Sequence, residues 1–335
     1  MSKRPSLKSI ADALGVSTTT VSWVVSGKGD SNGISLETQE KVREYAKALN
    51  YHPNQLAQNL RKGVTNTIGL VIPSIGDQFY AENVKVIELE AEKYGYTLTV
   101  CSSESDVVRE SKMIRMLKEK QVDGLIIAPT RQLITELQLL VDEQYPFVCF
   151  DRYYPELESN YVIIDNELSS YKLVKHLIAK GCKKIAAITT NPHLLTVNKR
   201  VEGYKKALTD FGIDYDPNLL GMVEYNNYES EINHVLKEII ERNPDVDGFF
   251  FTTHILALEA FRYFYQRKID FNNKFQFACI HSVPLMRMVA PNLSIAHMPI
   301  EMMGKEIVRL LVNNMNKVDN NEKRGIILSA SMDLI

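Results

Sequence analysis

The chain has 335 residues, 45% of them hydrophobic and 24% charged, with 16 glycines and 12 prolines. That is longer than one core usually serves, so two or three folded units are expected, and a collagen-like, low-complexity or wholly disordered chain is excluded. No apolar run reaches the roughly 18 residues of a membrane span, and the opening MSKRPSLKSI carries positive charge without an apolar stretch behind it. Neither a membrane partner nor secretion is expected. Cys101, Cys149, Cys182 and Cys279 lie far apart, mostly inside apolar runs. They read as buried thiols in a reducing compartment, which predicts a cytoplasmic protein.

The formal net charge of −2 hides an asymmetry. Residues 1–63 hold nine lysines and arginines against five acids, a surplus of four, which leaves the remaining 272 residues six charges negative. A small basic head on a large acidic body suits a polyanion-binding module joined to something else.

The head reads as three short helices. Ser6 precedes Leu7-Lys-Ser-Ile-Ala-Asp-Ala-Leu14, in which Ile10 and Leu14 share a face. Gly15 breaks that helix, Val16 follows as a buried turn residue, and Ser17 caps a second helix from Thr18 to Val25. A third begins near Ser35, with Val42, Tyr45, Ala46 and Leu49 at helical spacing. This is a helix-turn-helix layout, whose second helix enters the DNA major groove. Thr18 and Thr19 can meet base edges, while Ser17, Thr20 and Ser22 suit phosphates. Trp23, the one tryptophan, reads either as a base or sugar contact or as a packing residue.

The run Leu7–Ser26 resembles the DNA-binding head of the lac-repressor/purine-repressor family of bacterial transcription regulators, with Ala11, Gly15, Val16, Ser17, Thr20, Val21 and Ser22 matching. The resemblance implies DNA contacts from Leu7, Ser17, Thr18, Thr19, Thr20, Ser22, Trp23 and Lys28. Trp23 stands where a base-reading arginine is common. Residues 51–66 resemble the family's hinge through Pro53, Asn54, Ala57 and Leu60. Leu60 is expected to wedge into the minor groove beside Ala57, with Asn54, Arg61 and Lys62 near the DNA. The alternative reading is an ordinary linker.

From Thr67 apolar strands alternate with amphipathic helices, and the rhythm restarts after Tyr161–Ile164. Such alternation predicts an α/β body of two doubly wound lobes with parallel sheets, ligands sitting beyond the carboxyl ends of the strands. The expected division is a head at 1–50, a hinge at 51–66, one lobe from 67–164 plus 297–323, and a second from 165–296 plus 324–335. The core also resembles the family, and its relatives the periplasmic sugar-binding proteins, through Ile68-Gly-Leu-Val-Ile-Pro73, Gln78-Phe-Tyr80, Val122-Asp-Gly-Leu-Ile-Ile127, Asp151-Arg152, Asp165-Asn166 and Arg200-Val-Glu-Gly-Tyr204.

Position by position, the resemblance implies an effector pocket. Phe79 and Tyr80 form an aromatic wall, Asp151 and Asn166 give polar contacts, Ile164 an apolar one and Arg200 a bidentate fork. Thr253 and His254 stand where Asn-Asp is common, His281 replaces an aspartate, and His297 replaces a glutamine. Losing two carboxylates while keeping an arginine points to a sugar or sugar derivative more acidic than a neutral sugar. The plainer reading is a drifted pocket with solvated histidines. No cofactor and no metal is expected, since His254, His281 and His297 lack metal-ligand spacing.

The sequence therefore predicts a ligand-responsive repressor of carbohydrate-utilisation genes, acting as a homodimer on pseudo-palindromic double-stranded operator DNA. A small-molecule binding protein with no DNA role is the alternative. No nucleotide-binding, hydrolase or zinc-protease motif is present, so an enzyme is not expected.

Overall fold

Serine side chains start all three helices of the head. In α1 (Leu7–Leu14) Ser6 Oγ accepts from Ser9 N–H and Ser9 Oγ accepts from Ser6 N–H, a reciprocal cap. Gly15, at φ 64°, ends the helix in the left-handed conformation that glycine adopts without strain. Ser17 caps α2 (Thr18–Val25) and Ser35 caps α3 (Leu36–Ala48). Ile10, Ala11, Val21, Val24, Val42 and Ala46 close into a small core. The connection between α2 and α3 is tied down by Gln39, which is 1% exposed. Its Nε2 donates to Asp30 Oδ1 and to the Ile34 carbonyl, both at 2.8 Å, and its Oε1 accepts from Arg43.

This computed structural model describes residues 5–51, 64–130, 132–190, 195–224, 227–317 and 325–335. Asn54, Ala57, Leu60, Arg61 and Lys62, all within the expected hinge, lie outside those residues. The chain divides into two units, residues 1–65 and 66–335.

Among its described residues the second unit holds two six-stranded sheets. The first lobe contains β1 (Thr67–Ile72), α4 (Gln78–Lys93), β2 (Thr97–Ser102), α5 (Val107–Glu119), β3 (Gly124–Ile127), α6 (Ile134–Asp142), β4 (Phe147–Phe150) and β5 (Asn160–Ile164). The second contains α7 (Asn166–Ala179), β6 (Ile185–Thr190), α8 (Leu195–Asp210), β7 (Leu220–Val223), α9 (Tyr228–Arg242), β8 (Gly248–Phe251), α10 (His254–Gln266), the one-turn α11 (Phe271–Lys274), β9 (Gln276–Ile280), the one-turn α12 (Met286–Val289) and β10 (Leu293–His297). The chain then returns through α13 (Ile300–Met315) and β11 (Gly325–Leu328) to the first lobe and ends in β12 (Ser331–Asp333) of the second. The strand orders, β11-β5-β4-β3-β1-β2 and β12-β10-β9-β8-β6-β7, repeat each other. Among the described residues all strand pairings are parallel except β10 with β12.

Both sheets are buried on both faces, which is why their strands read as continuous apolar runs. Ile68, Leu70 and Ile72 pack in one cluster while Val71 joins another with Leu125 and Ile127. In β8, Phe249 and Phe251 face one layer and Phe250 stacks near Tyr204 on the other. The alternation does not predict β10, β11 or β12, and β7 begins two residues earlier than expected. One boundary is corrected: residues 325–328 pair with β5, so they belong to the first lobe and not the second. A short strand near a chain end carries too few residues to reveal which sheet it joins.

Helices α7 and α8 approach closely at Gly203, where an added Cβ would lie 2.2 Å from the Glu167 carbonyl oxygen. Backbone cannot yield as a flexible side chain can. Gly203→Ala is expected to destabilise the fold by about 1–3 kcal/mol. In urea unfolding this lowers the midpoint at constant slope; an unmoved midpoint would contradict the close approach.

Candidate functional site

On the head, α2 presents Thr18, Thr19 and Trp23 to solvent, with Ser17 exposed at its start and Lys28 exposed beyond its end. Ser17 Oγ accepts from Thr20 N–H at 3.0 Å and lies 2.8 Å from Thr20 Oγ1. Those two hydroxyls first shape the helix start, which leaves Thr18, Thr19 and Trp23 as the freely presented row. Trp23 is 38% exposed. Leu7 is half-buried against the head core, so its first role is packing. Ser22 is half-buried on the same helix.

The other site lies between the lobes, at the carboxyl ends of the strands, in a cavity with about 650 Å³ of empty space including its mouth. From the first lobe come Asp77, Phe79 and Tyr80 at the start of α4, and Asp151 and Arg152 after β4. Asp77 caps α4 by accepting from Phe79 N–H at 2.9 Å. Phe79 and Tyr80 meet edge to face with ring centres 5.0 Å apart. The Tyr80 hydroxyl donates to Asp151 Oδ2 at 2.8 Å, and Arg152 Nε stands 3.6 Å from the same oxygen.

From the second lobe come Arg200 on α8, Thr253 and His254 at the start of α10, and His281 after β9. Arg200 is held rigidly: Nε donates to Asn166 Oδ1 and Nη1 to the Thr252 carbonyl, each at 2.7 Å. Burial draws its guanidinium below the usual range, while the Asp151 carboxylate acts in the opposite direction. His254 Nε2 lies 3.2 Å from Asp77 Oδ1, so this pair bridges the lobes. Burial raises the Asp77 carboxyl, but the hydrogen bond and charge of His254 outweigh it and hold the group below the ordinary range.

His281 is the least satisfied group in the cavity. It is 6% exposed, and neither ring nitrogen has a hydrogen-bond partner among the described residues. Its ring contacts Phe79 and His254 edge to face, with centres 5.4 and 5.0 Å away. Burial first, and then the His254 charge, lower its pKa to about 3, so the imidazole is neutral. Asp151 and His281 occupy matching places, each directly after the third strand of its sheet, and both adopt the left-handed conformation, with φ 60° and 62°.

Of the ten pocket residues expected from the sequence, Phe79, Tyr80, Asp151, Arg200, Thr253, His254 and His281 line this cavity. Three do not. Ile164, 2% exposed, is part of the core at the end of β5. Asn166 acts through Arg200. His297 ends β10 and faces Asp333 at 3.4 Å, in a cluster completed by Arg287. Sequence reasoning missed Asp77, Arg152, Tyr228 and Met298, among others. Asp77 carried a readable signal, an aspartate just before an apolar helix start. Tyr228 had none, since only the return of α9 toward the cleft places it there. Among the described residues no group of three His, Cys, Asp or Glu side chains could hold a metal ion, and no helix is long and apolar enough to cross a membrane.

A helix-turn-helix unit joined to a two-lobed α/β unit with a polar, aromatic-walled cleft defines a ligand-responsive DNA-binding regulator. Residues 6–54 match the family described as bacterial regulatory proteins, lacI family, and residues 65–260 match periplasmic binding proteins and sugar binding domain of LacI family. The HTH-type transcriptional repressor PurR of Aliivibrio fischeri (strain ES114) is 30% identical over 323 residues, covering 95% of this chain and 94% of that protein. A structure of the transcriptional regulator CelR in complex with cellobiose shares 25% identity at TM-score 0.72, covering 99% of each chain. The lac repressor dimer bound to operator and the anti-inducer ONPF shares the fold at TM-score 0.83, with 22% identity and 98% of each chain covered. The chain belongs to the lacI family: it is a DNA-binding transcriptional regulator with an effector-binding core, and not an enzyme.

Two buried groups in the effector-binding unit give opposite pH dependences. His281 has a folded pKa of about 3 against an ordinary 6.5, so below 6.5 the unfolded chain takes up a proton that the fold refuses. Its contribution to stability is complete above 6.5 and is lost as pH falls toward 3. Glu110, 0% exposed on α5 and accepting from Thr130 N–H, is pushed up to about 7 from 4.5, chiefly by burial. Its contribution is complete below 4.5 and is lost as pH rises through 7. Stability measured by urea unfolding is expected to be level from about pH 4.5 to 6.5, where the two slopes cancel. His281→Phe should convert that plateau into a decline with rising pH, and Glu110→Gln into a rise. A plateau that survives both substitutions would sink these assignments.

Proposed function

We infer that this regulator represses carbohydrate-utilisation genes, that two copies seat their heads on a pseudo-palindromic operator, and that a sugar or sugar derivative in the cleft controls the grip. The observation that carries the reading is the rigid Arg200 fork facing the Phe79–Tyr80 wall across the cavity. An aromatic face suits the apolar face of a sugar ring and a fixed guanidinium suits its hydroxyls. The similarity to a regulator solved with cellobiose supports a sugar ligand.

Charge favours a neutral ligand over an acidic one. Asp77 returns a carboxylate to a cleft that the replaced positions had suggested was depleted, so Asp77 and Asp151 now balance Arg152 and Arg200. His281, neutral, adds no positive charge. Operator binding requires the chromosome, so the proposed place of action is the cytoplasm. In the reading, a ligand that shifts the lobes toward one arrangement changes how the two heads are presented to half-sites.

The test is fluorescence anisotropy with the full chain and duplexes from its own upstream region. Tight binding to one such duplex, relieved or strengthened by a sugar, is expected. Arg200→Ala should weaken the sugar's effect by about tenfold or more, as loss of a buried charged hydrogen-bonding partner implies. Equal, salt-sensitive binding to every duplex would refute a sequence-specific regulator.

A further inference from the structure

The cleft is not one space. Behind the Asp77–His254 pair lies the inner chamber with Arg200, Tyr80 and His281; in front lies an outer groove with about 1330 Å³ of empty space, lined by Ser74, Gly76, Gln78, Glu104, Ser105 and Leu258 among others. Asp77, Tyr228, His254 and Ile255 line both. Asp77 and His254 come from opposite lobes and meet at 3.2 Å, with side chains only 10% and 8% exposed. Their contact therefore stands as a partition between chamber and groove.

We propose that Asp77 and His254 set the length of the effector: the partition closes over a single uncharged sugar ring in the inner chamber and excludes a second ring from the space that their contact occupies. This rests on the reading that the effector binds in this cleft. Three features support a ligand held wholly behind the partition. The unsatisfied His281 lies on the inner side and offers one donor and one acceptor, which the hydroxyls of a ring can satisfy. Phe79 backs His281 from the opposite lobe, so a ring entering there is covered by apolar surface. Asp77 is fixed by its cap to Phe79 N–H, so it cannot swing away without loosening the start of α4.

A longer ligand has to break the Asp77–His254 contact to extend into the groove. It would leave a buried carboxylate and a buried imidazole to be satisfied by its own hydroxyls, and the lobes could not reach the same closed arrangement. The pair thus acts as a specificity gate, positioned by α4 on one side and α10 on the other.

The experiment uses the full chain, wild type, Asp77→Ser and His254→Ala, titrated calorimetrically with single-ring sugars (D-glucose, D-galactose, D-ribose) and two-ring sugars (cellobiose, maltose, lactose). Asp77→Ser keeps a cap acceptor while withdrawing the carboxylate from His254, so it remains informative if His254→Ala fails to fold. In wild type at least one single-ring sugar is expected to bind about tenfold or more tightly than any two-ring sugar containing it, a ratio that each variant should bring close to one. A two-ring sugar bound more tightly than its component ring, a ratio unmoved in the variants, or no binding by any single-ring probe would overturn the proposal. If a probe alters operator binding in an Arg200-dependent way while the ratio stays unmoved, the gate fails and the cleft reading stands. If no sugar of either length depends on Arg200, both fail.

Discussion

The effector-binding unit is governed by one constraint: the chain passes between its two lobes three times, at Asp165, at Met298–Pro299 and at Ser329–Ala330. Three short covalent links side by side hold the lobes as neighbours and keep them from separating. They also fix where ligand can bind. The links lie at the carboxyl ends of β5, β10 and β11, next to the loops that carry Asp151 and His281. Those loops therefore face one another across the cavity.

The turns that line the cavity have local costs that the surrounding structure offsets. Asp151 and His281 hold a left-handed backbone, which is uncommon outside glycine though less so for aspartate and histidine. Each is pinned by a ladder bond to the neighbouring strand, Asp151 N–H to the Val162 carbonyl and His281 N–H to that of Ala296. The same turn in each lobe thus aims one polar side chain into the cleft. In one lobe it is satisfied by Tyr80; in the other it has no protein partner among the described residues. This asymmetry between two equivalent positions is the clearest sign of which wall is left for a ligand.

Departures from the family pattern acquire meaning only in space. His254 and His281, read along the chain, looked like two lost carboxylates. In the fold His254 faces Asp77, a carboxylate supplied from the opposite lobe, and His281 is shielded into neutrality behind it. The polarity of the cleft has been rearranged across the lobes more than it has been reduced.

Much was legible beforehand. Ser6, Gly15 and Ser17 announce the head because capping and left-handed turns depend on single residues and their immediate neighbours. The alternation of apolar strands with amphipathic helices announces two parallel sheets because burial on both faces leaves a local pattern. Phe79, Tyr80, Asp151 and Arg200 were legible through resemblance, since they sit in recognisable stretches. Gln39 fastening the head connection, Asn166 serving Arg200, His297 turning to Asp333 and β11 joining the first lobe were not. Each depends on which distant segment lies opposite, and no short window of sequence contains that information. By itself the sequence determined the class of protein and the elements it is built from, because propensity, capping and hydrophobic period act over a few residues. Only the tertiary structure decided which polar groups are already paired and which face the cavity, because pairing and desolvation depend on neighbours brought together from both lobes.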